Sequence, residues 1–148
     1  MAVAYKVVFD AVDPHSQAFF WADVLGYVVE DNTAFIRSLL DAGAITDPDV
    51  TEFEGRLFFS SGAAARDPYS PVDERGVGLG GRVLFLAVPE HKTTKNRVHL
   101  DVHVGADNAA GEVARLVELG ATVLYRVDEP GSRHVTLADP EGNEFCVM

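Results

Sequence analysis

His99, Asp101 and His103 stand two residues apart in VHLDVHV, so an extended strand puts all three on one face and Val98, Leu100, Val102 and Val104 on the other. Imidazole and carboxylate groups can ligate metals, move protons or anchor a polar ligand. At about 3.3 Å per residue the two histidines lie roughly 13 Å apart, too far for one ion to bond both at about 2 Å. A three-ligand site on this strand alone is geometrically implausible, although either histidine can pair with Asp101. Three polar side chains backed by an apolar face fit a wet concave surface lining a ligand cavity. A pair of hydrogen-bonded histidines that ligate nothing stays open as the plainer reading. Cys146 is the one cysteine, which excludes an internal disulfide and a zinc site built mainly from cysteines. With no cationic neighbour in sequence it reads as a small buried apolar residue rather than a reactive thiolate. No Ser-His-Asp order, phosphate-cradling loop or dinucleotide fingerprint can be placed, because GVGLGG lacks the preceding strand and following helix such a site requires.

These residues must be held by elements whose pattern occurs twice. Residues 5 to 27 and 98 to 121 each run from an alternating apolar strand through Asp (Asp13, Asp107) into an amphipathic helix ending at Leu-Gly, the leucines Leu25 and Leu119 being 94 residues apart. A repeated half predicts a pseudo-symmetric domain with a shared cleft. In the first strand, about Tyr5 to Val12, Tyr5, Val7, Phe9 and Ala11 share one face and Lys6, Val8 and Asp10 the other. Asp13-Pro14 starts a helix with Ala18, Trp21, Ala22 and Leu25 on its packing stripe, and Gly26 closes it. Asn32 to Gly43 predicts an extra helix, Val50 to Ser60 a strand or two around Glu54-Gly55, and GAAARDPYSPVDERGVGLGG a long loop, either a lid or an ordered excursion. Arg82 to Val88 and Val98 to Val104 are strands, and the second helix, capped by Asp107, carries Ala109, Val113, Leu116 and Val117. Thr122 to Val127, Arg133 to Leu137 and Asn143 to Val147 complete the strands, the last two joined by a tight turn with Gly142 where positive φ is needed.

At 148 residues and 47% hydrophobic content the chain can bury a real core. A formal charge of −11 and a pI of 4.7 oppose binding to polyphosphate backbones or anionic lipid surfaces, so no nucleic-acid or membrane partner is expected. The N-terminus shows no secretory signal and no apolar run approaches the roughly 18 residues of a spanning helix, so the expected location is cytoplasmic. His91 to Arg97 gathers three fixed positive charges, which reads as a solvated connection or as a patch steering anionic ligands.

The two modules, with DPEGNEF near the C-terminus, VPEHKTTKNRVHLDV at the junction and FFWADVLGY on the first helix, resemble the vicinal oxygen chelate superfamily, and within it the glyoxalase-like group that includes bleomycin-resistance-type proteins. The resemblance covers most of the chain apart from the central excursion. It implies an α+β domain spanning residues 1–148, in which two βαβββ modules form a pseudo-symmetric curved mixed sheet around a cleft with helices outside. Module one would span 1–90 with a long insertion at about 31–81, and module two 97–148. Projecting the strand alternation onto that fold lines the cleft with Lys6, Asp10, Leu84, Leu86, His99, Asp101, His103, Glu144 and Cys146.

In metal-using members four side chains from the first and last strands of each module hold a divalent ion. That pattern falls here on Lys6, Leu86, His99 and Cys146. Protonated lysine has no free lone pair and leucine none at all, which argues against the usual metal-dependent lyase, isomerase or dioxygenase chemistry. Lys6 could pair with Asp10 or Asp101, or offer its charge to an anionic ligand oxygen. The expectation is therefore a binding protein for a small, partly hydrophobic organic molecule, with no cofactor favoured. One alternative is an enzyme with a reduced site at His99 and Cys146 holding Zn, Ni, Mn or Fe, assisted by Asp101 or Glu144. The other is a non-catalytic dimeric module. The resemblance also implies a homodimer.

Overall fold

β1 (Val7–Ala11) enters α1 (Pro14–Leu25) through Asp13, whose Oδ1 accepts the Ser16 amide at 3.0 Å, so an Asp-Pro pair starts the helix as its chemistry requires. In the computed structural model, which describes all 148 residues, the chain continues through β2 (Val28–Val29), α2 (Thr33–Asp41), a short 3-10 turn (Asp47–Asp49), β3 (Val50–Phe53), β4 (Arg56–Phe59), β5 (Gly62–Arg66) and β6 (Arg82–Ala87). Then follow β7 (Asp101–Val102), α3 (Ala109–Glu118), β8 (Thr122–Glu129), β9 (Ser132–Ala138) and β10 (Glu144–Val147). The chain forms two compact units, Met1–Glu90 and His91–Met148.

The first unit holds a four-stranded sheet of order β1-β6-β5-β2 and the second one of order β7-β10-β9-β8. Numbered within its own unit, each sheet runs first, fourth, third, second strand, with the first and fourth parallel and the remaining pairs antiparallel. The repeat seen in the sequence is thus a repeat of topology, and the chain is α+β with few helices.

In the first unit α1 covers one sheet face. Phe9 stacks between Trp21 and Phe85, with ring centroids 5.1 and 5.4 Å away, and Trp21 and Phe85 are wholly buried. Phe9 and Ala11 point toward the helix while Val8 and Asp10 are exposed on the opposite face, as the period-two pattern predicts. Burial of α1 reaches beyond the expected stripe to Gln17, Phe20 and Val24, and the β3–β4 hairpin sets Phe53 and Phe58 against His15 and Phe19 of the helix. His15 meets the Phe59 carbonyl at 3.1 Å, and the Arg56 guanidinium lies 5.0 Å from the centre of the Phe19 ring.

The loop expected to begin at Gly62 differs in its first five residues, which form β5 between β6 and β2. Gly-Ala-Ala-Ala lacks the bulky branched side chains that announce a strand, but the positions allow nothing larger. Ala63, Ala64 and Ala65 are buried, and a Cβ on Gly62 would stand 2.3 Å from the Phe85 carbonyl oxygen. The excursion is therefore split, with α2 to β4 before β5 and residues 67–81 after it. The short β2 gave no period to read, and of the apolar residues that mark the predicted extra helix, Phe35, Ile36, Leu39 and Leu40, α2 buries only Ile36.

In the second unit α3 is preceded by Asn108 rather than the expected Asp107, which is exposed. Its core face is Val113 and Leu116, while Val117, expected on that face, remains 44% exposed. Regular β7 is shorter than the predicted Val98–Val104 strand, although the Cys146 amide bonds the Leu100 carbonyl at 2.9 Å and extends the pairing. The Ala138–Gly142 turn forms as read. Asp139 Oδ1 accepts the amides of Glu141 and Asn143 at 2.9 Å each, and Gly142 has φ 91°.

Candidate functional site

The sheet face of the first unit turned away from α1 carries a pocket of about 280 Å³. Its floor is Gly62 and Ala64 of β5 with Leu84 and Leu86 of β6, and its sides are Phe35 of α2, Phe59 of β4 and residues Arg75 and Val77 of the 67–81 segment. The polar end is built around Glu30, which follows β2 and is 2% exposed. Its two oxygens accept Arg82 Nε at 2.7 Å and Nη2 at 2.8 Å, a fork-to-fork ion pair, and Oε1 also accepts the Gly78 amide at 2.8 Å. Charge pairing and a main-chain bond thus fasten the middle of the 67–81 segment to the sheet.

That segment is further closed by its own bonds. Asp73 takes the amides of Arg75 and Val77 and the Arg75 guanidinium, Leu79 N–H reaches the Pro71 carbonyl at 2.9 Å, and Asn32 Nδ2 reaches the Arg75 carbonyl at 2.6 Å. The Val77 amide and Arg75 hold the Asp73 carboxyl below its ordinary range. Of the two readings left open for this loop, an ordered wall is what these bonds describe.

In the second unit, parallel pairing of β7 with β10 sets Asp101 beside Cys146. His99 Nε2 lies 3.3 Å from Asp101 Oδ1, and one ligand atom from each of His99, Asp101 and Cys146 falls within 4.8 Å of the others. A tetrahedral ion with bonds of about 2.0 to 2.3 Å needs its ligand atoms roughly 3.5 Å apart, so small side-chain rotations would bring this trio onto one ion. Thr136 Oγ1 lies 3.4 Å from Cys146 Sγ. Burial pushes the Cys146 thiol upward, Thr136 counteracts and Asp101 adds to the rise, which leaves a protonated sulfur that only a strong cation would strip.

Glu144 and His103 stand outside this cluster. Glu144 accepts Lys92 Nζ at 3.1 Å and the Asn96 amide at 3.0 Å, so its carboxylate fastens the basic 91–97 segment to β10. Burial alone would raise its pKa, but the Asn96 amide and Lys92 outweigh it and hold the carboxyl below its ordinary value. A carboxylate so engaged is a poor proton acceptor, which leaves Asp101 as the acid beside His99. Lys6 and Asp10 are exposed at the edge strand of the first unit, and Leu84 and Leu86 line its pocket.

Glu30, Arg75, Arg82, Phe35 and Phe59 were not read as site residues from the sequence. The acids Glu30 and Asp31 directly after Val28-Val29 were the one available sign, since a charge closing an apolar strand needs a partner if buried.

Over residues 6–148 the chain matches the Glyoxalase-like domain family. It belongs to that family. No curated protein matches it in sequence. Among solved structures, this glyoxalase-like domain protein is similar to the fosfomycin resistance protein FosX of Mesorhizobium loti, at 10% identity and a TM-score of 0.59 over 99% of this chain and 90% of that one. A glyoxalase/bleomycin resistance protein/dioxygenase family enzyme of Burkholderia phytofirmans PsJN aligns at 15% identity and a TM-score of 0.57, over 96% and 94% of the two chains. A mutant FosX of Listeria monocytogenes, complexed with Mn(II) and 1S,2S-dihydroxypropylphosphonic acid, gives 10% identity and a TM-score of 0.63 over 99% and 91%. At these identities the likeness is one of fold.

Proposed function

We propose that this glyoxalase-like domain protein binds a small, partly apolar organic molecule in the pocket of its first unit. The observation that supports this reading is the pocket itself, with aromatic and leucine walls meeting a largely buried Glu30–Arg82 ion pair. Apolar walls with a few fixed polar groups are the usual makeup of a ligand site, and a volume just below the common range suits a small ligand. A ligand at 100 times its Kd would add about 2.7 kcal/mol of stability, a rise in Tm of about 5 to 11 °C for a chain of this size. The test is a thermal-shift screen of small aromatic and branched compounds on the protein and on Leu84→Trp, which fills the pocket. Shifts in the parent that vanish in the variant support the reading; shifts that survive it place binding elsewhere.

The convergence of His99, Asp101 and Cys146 favours a second reading, a reduced metal centre of the lyase or dioxygenase type. Imidazole and thiolate suit Zn²⁺ better than Mn²⁺, and a bound ion would supply Lewis acidity. In that reading Cys146 and His99 hold the ion and Asp101 orients His99 or completes the set. Retention of about one Zn²⁺ per chain after desalting, lost in His99→Ala, is its signature; a metal-free parent refutes it. The homodimer implied by the family resemblance is part of the proposal and is checked by light scattering.

A further inference from the structure

The charged side chains at the pocket of the first unit leave donors rather than acceptors for a ligand. Glu30 spends Oε1 on Gly78 and Arg82 and Oε2 on Arg82, and Asp73 spends Oδ1 on two amides and Oδ2 on two nitrogens of Arg75. Of the other polar side chains at the pocket, Asn32 and Ser61 carry both donor and acceptor atoms, and the two arginines are donors only. Arg75 and Arg82 each bond their carboxylate through Nε and Nη2, which leaves Nη1 of both without a partner, and Asn32 uses one amide hydrogen on the Arg75 carbonyl. A molecule that offers only donors would leave these groups unmatched on losing their water, whereas an acceptor would complete them.

We propose that the molecule held here is an amphipathic anion, with an aromatic or branched apolar body against Phe35, Phe59, Leu84 and Leu86 and a terminal carboxylate at the arginines, Arg75 being the residue that selects for it. The inference rests on the pocket reading above and narrows it to a ligand class. The planar guanidinium fork matches a carboxylate better than any other side chain does, and charge-assisted bonds are about twice as strong as neutral ones. Arg75 is suited to the selecting role because its side chain is 52% exposed, against 13% for Arg82, so it is the guanidinium an arriving ligand meets from solvent. In a chain of net charge −11, the two ion pairs make this pocket locally neutral, so an anion meets less repulsion here than the net charge implies.

Isothermal titration of the full chain with matched pairs tests this: benzoate and benzamide, phenylacetate and phenylacetamide, 1-naphthoate and 1-naphthamide. Each amide keeps the body and a carbonyl acceptor but loses the charge. The expected result is that at least one carboxylate binds tenfold or more tighter than its amide. Arg75→Met should remove most of that preference while changing the amide's affinity less than threefold, and Arg75→Lys should keep part of it. Trp21 emission of each variant must match the parent, and Arg75, on an exposed turn, permits that. Equal binding of acid and amide, or a preference that survives Arg75→Met, overturns the anion inference and leaves the pocket reading standing. If no acid or amide binds, or binding persists in Leu84→Trp, the pocket reading falls and this inference with it.

Discussion

Removing the Glu30 carboxylate by Glu30→Ala tests the fastening of the pocket wall directly. In the folded chain this one side chain balances the Arg82 guanidinium and accepts the Gly78 amide, and it is 2% exposed. Deleting one member of a buried ion pair costs about 3 to 5 kcal/mol, because the other charge is left uncompensated. The orphaned Gly78 amide costs a further 1 to 3 kcal/mol if it stays dry, roughly. Arg82 keeps 13% of its side-chain surface in water and the truncated site admits solvent, which places the expected loss at about 3 to 4 kcal/mol. That is a large share of the roughly 5 to 15 kcal/mol that holds a domain together, and about 6 to 16 °C in Tm. The single tryptophan, Trp21, is buried in α1, so urea unfolding followed by its fluorescence reports the first unit. The double variant Glu30→Leu with Arg82→Met should lose much less than the two single changes together, since an apolar pair leaves no buried charge. A loss under about 1 kcal/mol in Glu30→Ala, or simple additivity in the double variant, would refute the assignment of Glu30 as the anchor.

Three further outcomes follow from the packing and charge. Gly62→Ala should cost about 1 to 3 kcal/mol in the same assay, because the new Cβ meets the Phe85 carbonyl and the central strands must separate; a neutral effect would show that β5 has room the close approach denies. The Cys146 thiol, pushed up by burial and by Asp101, should react slowly with a disulfide reagent at pH 8, and Asp101→Asn should speed labelling; unchanged kinetics would remove Asp101 from its surroundings. Glu144 has a folded pKa below its ordinary 4.5, so its contribution is present above that value and is lost as pH falls through the lower folded one. Hydrogen exchange at the Asn96 amide should accelerate in that acid range and, in Lys92→Met, at higher pH than in the parent. Protection that is flat with pH would be inconsistent with the clamp.

Where local chemistry decides the backbone, the sequence was legible. Asp13-Pro14 and Gly26 bracket α1, Glu54-Gly55 turns the β3–β4 hairpin, and DPEGNEF folds as an Asp-centred turn. Reading failed where space rather than propensity chooses the residue, since Ala63 to Ala65 form a strand only because the neighbouring layers leave room for a methyl group. The meeting of His99 with Cys146 was visible through the family resemblance, and Asp101 through strand alternation. The Glu30–Arg82 pair was not, because its partners are 52 residues apart and no periodicity links them. Glu144 drew notice as an acid near a cysteine, yet Lys92 and Asn96 had already engaged it.

The 67–81 wall also bears on how tightly anything can be held beside it. Because Gly78, Arg75 and Leu79 are bonded to Glu30, Asn32 and Pro71 within the chain itself, a guest meets backbone that is already ordered. The entropy lost on docking is then confined largely to the guest, since Asp73 already holds the Arg75 guanidinium. Preorganisation of this kind lets modest contacts yield useful affinity, and it makes ligands differ chiefly in how slowly they leave.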